Sequence, residues 1–196
     1  MRLDLVEKRF GERRILGPMK LSASRGERIA LLGPSGIGKS TLLRILTGLD
    51  RDFRGTREGD ERLAPVFQEP VLLPWRNALA NIVIPTGCAE AEARQWMERT
   101  GLTGHEGKFP RQMSLGQQRR LALARAFAAA PDILLMDEPF ASLDAETAAR
   151  MVALTDALLT RSGAGLVIVT HDPAEARALR ARSLKLAGSP AQLQKD

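Results

Sequence analysis

Nine consecutive residues, Gly33-Pro34-Ser35-Gly36-Ile37-Gly38-Lys39-Ser40-Thr41, set three glycines, one lysine and three hydroxyls at a spacing suited to holding phosphate groups. Glycine lets the backbone curl until successive N–H groups converge on anionic oxygens, and the positive end of a following helix reinforces that concavity. Lys39 is placed to reach the β- and γ-phosphates of a nucleoside triphosphate, and the Ser40 hydroxyl to ligate Mg²⁺. A chance glycine-rich turn is the bland alternative. It is disfavoured because an apolar run, Ile29-Ala30-Leu31-Leu32, precedes the motif and a helical pattern follows it. Alone, this loop specifies a nucleoside triphosphate and chooses no family.

The segment Ile133-Leu134-Leu135-Met136-Asp137-Glu138 reads as a buried strand that delivers two carboxylates at its end. Asp137 can hold the magnesium ion, through water, and Glu138, projecting differently, can polarise an attacking water as a general base. An acidic pair at a strand end is common on surfaces, but a phosphate loop upstream makes the catalytic reading the stronger one.

Met113-Ser114-Leu115-Gly116-Gln117-Gln118-Arg119-Arg120 resembles the Leu-Ser-Gly-Gly-Gln signature of ATP-binding-cassette (ABC) proteins, at the start of a long helix. Asp137 follows Ser114 by 23 positions, which is the spacing that family shows. The order of motifs also agrees: phosphate loop, Gln68, signature, Asp137-Glu138, His171. The resemblance implies ATP and Mg²⁺ as ligands and assigns further residues one at a time. Gln68, in Val66-Phe67-Gln68-Glu69-Pro70, matches the glutamine that touches magnesium and the attacking water. His171, after Val167-Ile168-Val169-Thr170, matches the switch histidine at the γ-phosphate. Asp144, in Ala141-Ser142-Leu143-Asp144, matches a loop that crosses between two subunits; taken alone it is a helix N-cap. Phe10 matches an aromatic that stacks on adenine, with simple packing as the alternative. The resemblance further implies a head-to-tail dimer in which Ser114, Leu115, Gly116 and Gln117 serve the partner's ATP.

Two departures from the family pattern stand out. Leu115 replaces the usual glycine in the signature. Only 29 positions separate Lys39 from Gln68, fewer than usual, so the antiparallel β-region must be reduced.

The elements that position these residues follow from local patterns. Strands are expected at 3–8, 19–24, 28–32, 133–136 and 166–169, and helices at 41–49, 89–99 and 115–130, the last ended by Pro131. Residues 51–63, with Gly55 and Gly59, suggest a shrunken hairpin. Strands alternating with helices give an α/β fold with a mostly parallel sheet, and the resemblance makes it a P-loop NTPase core of RecA-like type. The whole chain, 1–196, is expected to be a single nucleotide-binding domain. Residues 1–70 and 119–196 form its core, and 71–118 an inserted helical subdomain carrying the signature.

Composition narrows the function classes. The 196 residues are 44% hydrophobic and 27% charged, a folded rather than disordered profile. No apolar run approaches the ~18 residues of a membrane span, and no signal segment follows Met1. The single cysteine, Cys88, fits a reducing compartment. The net charge of +6 comes from scattered arginines; tyrosine is absent and aromatics reach only 4%, so a nucleic-acid partner is not expected. The segment Leu72-Leu73-Pro74-Trp75 is similar to that of nitrate-, sulfonate- and taurine-type importer ATPases, although Pro74 and Trp75 would also suit a loop kink and a core aromatic. An importer ATPase is therefore expected: cytoplasmic, peripheral on the inner face of the membrane, with a separate permease and a solute-binding protein. An exporter ATPase, or a cassette ATPase acting on nucleic acid or ribosomes, are the alternatives.

Overall fold

Three apolar strands decide the architecture, because each buries both of its faces. The computed structural model describes residues 1–194. In chain order its elements are β1 (Arg2–Phe10), β2 (Arg13–Leu16), β3 (Met19–Ser22), β4 (Arg28–Leu32), α1 (Lys39–Leu46), β5 (Arg54–Glu58), β6 (Leu63–Val66), α2 (Ala78–Thr86), α3 (Glu90–Arg99), α4 (Leu115–Ala128), β7 (Ile133–Asp137), α5 (Ala145–Ser162), β8 (Gly165–Thr170), α6 (Pro173–Ala178), β9 (Arg182–Ala187) and β10 (Gln192–Gln194).

The central sheet has the order β10-β9-β4-β8-β7-β6, parallel throughout except for the antiparallel β10 edge. Ile29, Leu31, Ile133, Leu135, Val167 and Val169 point to one side, where α1 and the antiparallel strands pack. Ala30, Leu134, Met136, Leu166 and Ile168 point to the other, against α4, α5 and α6. Period-two alternation thus feeds two cores from one set of strands.

A second, antiparallel sheet centres on β1, which pairs with β2, β3 and β5. Here the expected hairpin at 51–63 is corrected. β5 pairs with β1 rather than with its sequence neighbour, and β6 joins the parallel sheet beside β7. The reason is burial: Ala64 and Val66 are apolar enough to enter the central sheet, whereas Arg54–Glu58 is almost wholly exposed and suits an edge. Helix α1 also starts at Lys39, two residues before the expected 41, because the phosphate loop closes directly onto it.

Helices α2, α3 and α4 surround a third core of their own, built on Ile82, Ala93, Met97, Leu102, Leu121 and Ala124. The opposite face of α4 supplies Leu123, Ala126 and Phe127 to the second core, so this helix belongs to both. Trp75 is 68% exposed, which overturns the core-aromatic alternative. Asn81, fully buried, fastens the Trp75 segment instead: its side chain accepts from Leu73 N–H and donates to the carbonyls of Leu73, Arg76 and Asn77. Among the described residues no helix is long and apolar enough to cross a membrane.

Candidate functional site

The loop between β4 and α1 can be made only with glycine at two of its positions. Gly38, the N-cap of α1, has φ +107°, and a Cβ there would lie 2.8 Å from Leu16 Cδ2. A Cβ on Gly33 would meet the Leu186 carbonyl at 2.7 Å. Ile37 anchors the loop by packing on the first core, and its N–H donates to the Pro34 carbonyl. Lys39 is 4% exposed, and its ammonium uses all three of its donors. Nζ donates to the carbonyls of Gly33 (2.9 Å) and Pro34 (3.1 Å) and lies 3.3 Å from Glu138 Oε1.

The carboxylate pair reaches the same place from β7. Ser40 Oγ donates to Asp137 Oδ1 at 3.0 Å, joining the phosphate loop to the strand end. Burial pushes the Asp137 carboxyl above its ordinary range; the neighbouring Glu138 charge adds to this, while the Ser40 bond and Lys39 oppose it. Glu138 has φ +42°, a region that side-chain-bearing residues rarely adopt, and its N–H is held by the Val169 carbonyl at 2.9 Å. Such strain persists only where neighbours over-determine it, and it concentrates at functional positions. From β8, His171 brings Nδ1 to 3.4 Å from Glu138 Oε2. Lys39, Glu138 and His171 therefore form one row, with Glu138 in the middle.

A cavity of about 520 Å³ opens over Lys39 and Glu138; His171 reaches it only through its contact with Glu138. Ser35, Gly36, Gly38, Lys39, Ser40 and Thr41 form one wall, and Phe10, Ile15, Gln68 and Glu138 complete it. Phe10 is 55% exposed at the rim, which disfavours simple core packing. Lys8 Nζ sits 4.7 Å from the centre of its ring, a cation–π distance. Lys8 is itself buried, anchored to the Asp50 carboxylate (3.0 Å) and the Asp52 carbonyl (2.5 Å). Sequence reasoning missed Lys8, since a lysine in a strand carries no signal of what lies across the sheet.

The signature residues lie elsewhere. Ser114 caps α4: its Oγ accepts from Gln117 N–H, and Gln117 Oε1 accepts from Ser114 N–H. Gln117 Nε2 also lies 3.0 Å from His105 Nε2. Asp144 caps α5 by accepting from Thr147 N–H at 2.9 Å, and that bond holds its carboxyl below the ordinary range. Ser114, Leu115, Gly116 and Asp144 line a separate cleft of about 830 Å³, and Leu115 is 45% exposed in it. This cleft shares no residue with the cavity over Lys39. Within one chain, then, the phosphate-loop group and the signature group do not meet. Arg125, also unforeseen, links them through the scaffold. Its guanidinium on α4 donates to the carbonyls of Pro70 (3.0 Å) and Val71 (2.9 Å), just beyond Gln68.

A sequence profile described as "ABC transporter" matches residues 16–141. The chain is also 40% identical over 214 residues to the aliphatic sulfonates import ATP-binding protein SsuB 1 of Pseudomonas aeruginosa, covering 99% of this chain and 85% of that protein. The chain belongs to the ABC transporter family. A second ABC relative, the aliphatic sulfonates import ATP-binding protein SsuB 2 of Nocardia farcinica, is 45% identical over 183 residues, covering 90% of this chain and 75% of its own length. A profile of an AAA domain, described as a putative AbiEii toxin, matches residues 109–177. Among solved structures, the dimeric post-hydrolysis state of the ATP-binding cassette MJ0796 bound to ADP and Pi superposes with a TM-score of 0.83 at 28% identity, over 100% of this chain and 97% of that one. The fold is accordingly the P-loop NTPase fold of ABC cassettes, and transport-coupled ATP hydrolysis is the activity of the family.

Proposed function

We propose that this ABC ATPase binds and hydrolyses ATP at the cavity over Lys39 to drive import of a small sulfonate-class solute. The observation that carries the chemistry is the row Lys39–Glu138–His171, with Ser40 and Asp137 bonded beside it. The solute class is taken from the sulfonate-import relatives and from the similar segment Leu72-Leu73-Pro74-Trp75.

Each residue has a task that its placement suits. The phosphate-loop N–H groups and the Lys39 ammonium neutralise the triphosphate, with Lys39 exchanging its carbonyl partners for phosphate oxygens. Phe10 offers its exposed ring to adenine. Glu138 accepts the proton of the attacking water, Gln68 orients that water, and His171 steadies the γ-phosphate while fixing the Glu138 carboxylate. The hard oxygens of Ser40 and Asp137 suit Mg²⁺, which commonly takes one or two protein ligands and completes its shell with phosphate and water. Bound there, Mg²⁺ would supply Lewis-acid neutralisation of the phosphate oxygens.

Because Ser114 and Gly116 face a different cleft, they and Gln117, which caps beside them, act on the ATP of a second subunit in a head-to-tail dimer, with Asp144 in the crossing loop. The dimer works on the inner face of the membrane with a separate permease and a solute-binding protein. Uptake of an alkanesulfonate as sole sulfur source tests this reading. Deleting the gene should abolish uptake, the native gene should restore it, and Lys39→Ala should not. Undiminished uptake in the deletion strain would refute the substrate class.

A further inference from the structure

Far from the phosphate loop, four arginines converge on one small cleft. It measures about 250 Å³, and Arg25, Arg62, Arg99, Arg161, Trp96 and Phe127 contribute to its walls. Arg25 and Arg62 lie just ahead of β4 and β6, whereas the phosphate loop follows β4. The cleft is therefore at the opposite end of the parallel sheet from the ATP cavity.

Charge in this cleft is not balanced. Arg25 and Arg62 share a single carboxylate, Asp132, at 3.4 and 3.5 Å. Glu92 adds one negative charge to the lining. Among the described residues, Arg99 and Arg161 have no carboxylate within ion-pair distance.

Polar satisfaction is incomplete as well. The Trp96 indole is stacked on Phe127, with ring centroids 5.7 Å apart and planes 21° from parallel, and the Arg99 guanidinium lies 4.4 Å from the ring. Both contacts hold the indole ring in place. Its Nε1–H is buried and has no acceptor among the described residues. A buried indole N–H ordinarily has one, and an exception calls for an explanation.

Solvated surface arginines are the plain alternative, and Arg161 in the last turn of α5 also complements the helix dipole. That account leaves unexplained why four arginines with two carboxylates between them line one formed cleft. A small oxyanion answers the charge surplus, since guanidinium groups match tetrahedral oxyanions with paired N–H donors.

We propose that this cleft binds a small tetrahedral oxyanion, of the inorganic phosphate or alkylsulfonate class. Trp96 and Arg99 belong to α3, while Arg25, Arg62 and Arg161 belong to the sheet core and α5. A bound anion thus pins α3 against the core and restrains the helices that carry the signature.

Trp96 provides the readout, because the chain has only two tryptophans and Trp75 is remote in exposure and environment. In a Trp75→Phe protein, Trp96 fluorescence is titrated separately with inorganic phosphate and with methanesulfonate, with sodium chloride holding ionic strength constant. Saturable change is expected with at least one. Phosphate alone would identify the hydrolysis product as the source, and methanesulfonate alone the transported class. Arg99→Gln/Arg161→Gln should weaken the response at least 10-fold, and the exposed Arg161→Gln alone should weaken it without disturbing the fold. Lys39→Ala should leave it intact, which separates this cleft from the ATP cavity. A response that never saturates, or one unchanged by both arginine substitutions, would overturn the proposal.

Discussion

At the scale of single residues, the side chains that matter are those already holding a partner that ATP would replace. Lys39 Nζ spends its donors on Gly33 O, Pro34 O and Glu138, all at the mouth of the ATP cavity. Lys39→Ala removes the only lysine in the cavity wall among the described residues, and charge-assisted hydrogen bonds contribute about 1.5–3 kcal/mol each. Nucleotide affinity should fall by about 10- to 100-fold, measured by titration calorimetry with ATP·Mg²⁺; near-native affinity would sink the assignment of the loop. Leu115 poses a different question. Its side chain projects into the signature cleft at the first position of α4, where the family has glycine. Leu115→Gly should raise turnover by clearing the cleft, and should cost about 1 kcal/mol for glycine in a helix. A kinetic assay beside a melting curve reads both effects, and unchanged turnover would mean that the partner's ATP already accommodates leucine.

At the scale of elements, ion pairs decide how α5 and α6 sit on the sheet. Asp156 of α5 accepts from Arg28 of β4 at 2.5 Å and from Arg180 beyond α6 at 2.6 Å. Burial works to raise the Asp156 carboxyl, but the bonds from Arg28 and Arg180 outweigh it and hold the group below its ordinary range. A carboxylate depressed in the folded state contributes stability that is present above its unfolded value and lost as pH falls through the folded one. Asp156→Asn should therefore lower the melting temperature at pH 7, by about 2–4 °C per kcal/mol lost, and the gap to the native protein should close below the ordinary carboxylate range. A pH-independent gap would assign the loss to packing instead. Trp75→Ala tests another element, the segment ahead of α2. With the ring 68% exposed, stability should shift by only about 0.5 kcal/mol, while co-purification with the permease should weaken. These ties also explain what the sequence disclosed. The phosphate loop, Asp137-Glu138 and the Asp144 cap were legible because each is a local pattern with a local mechanism. The pairing of β5 with β1, the anchoring of Lys8 by Asp50 and the grip of Arg125 on Pro70 were not. Each joins residues about 40 to 55 positions apart, and no neighbouring residue signals the partner. Helix α6 went unread although its cap, Asp172, stands where a helix start requires it.

At the scale of the whole molecule, the decisive fact is separation. The phosphate cavity and the signature cleft share no lining residue, so the proposed composite site needs two chains. A head-to-tail pair would let the Ser114 cleft of one chain cover the Lys39 cavity of the other, twice, by a single two-fold operation. The similar MJ0796 cassette is a dimer in its ADP- and Pi-bound state. Glu138→Gln keeps the size and much of the hydrogen bonding of the side chain but cannot take a proton from water. General-base loss costs about 10²–10⁴-fold in rate, so ATP should bind and persist. Size-exclusion chromatography of this variant should show a dimer with ATP and a monomer with ADP. Ser114→Arg added to it should abolish the dimer while each monomer still binds ATP, because the new charge acts only on the facing subunit. A double variant that dimerises as well as Glu138→Gln alone would remove Ser114 from the shared site. Undiminished hydrolysis in Glu138→Gln would remove the base itself, and with it the reason for a strained φ of +42° at that position.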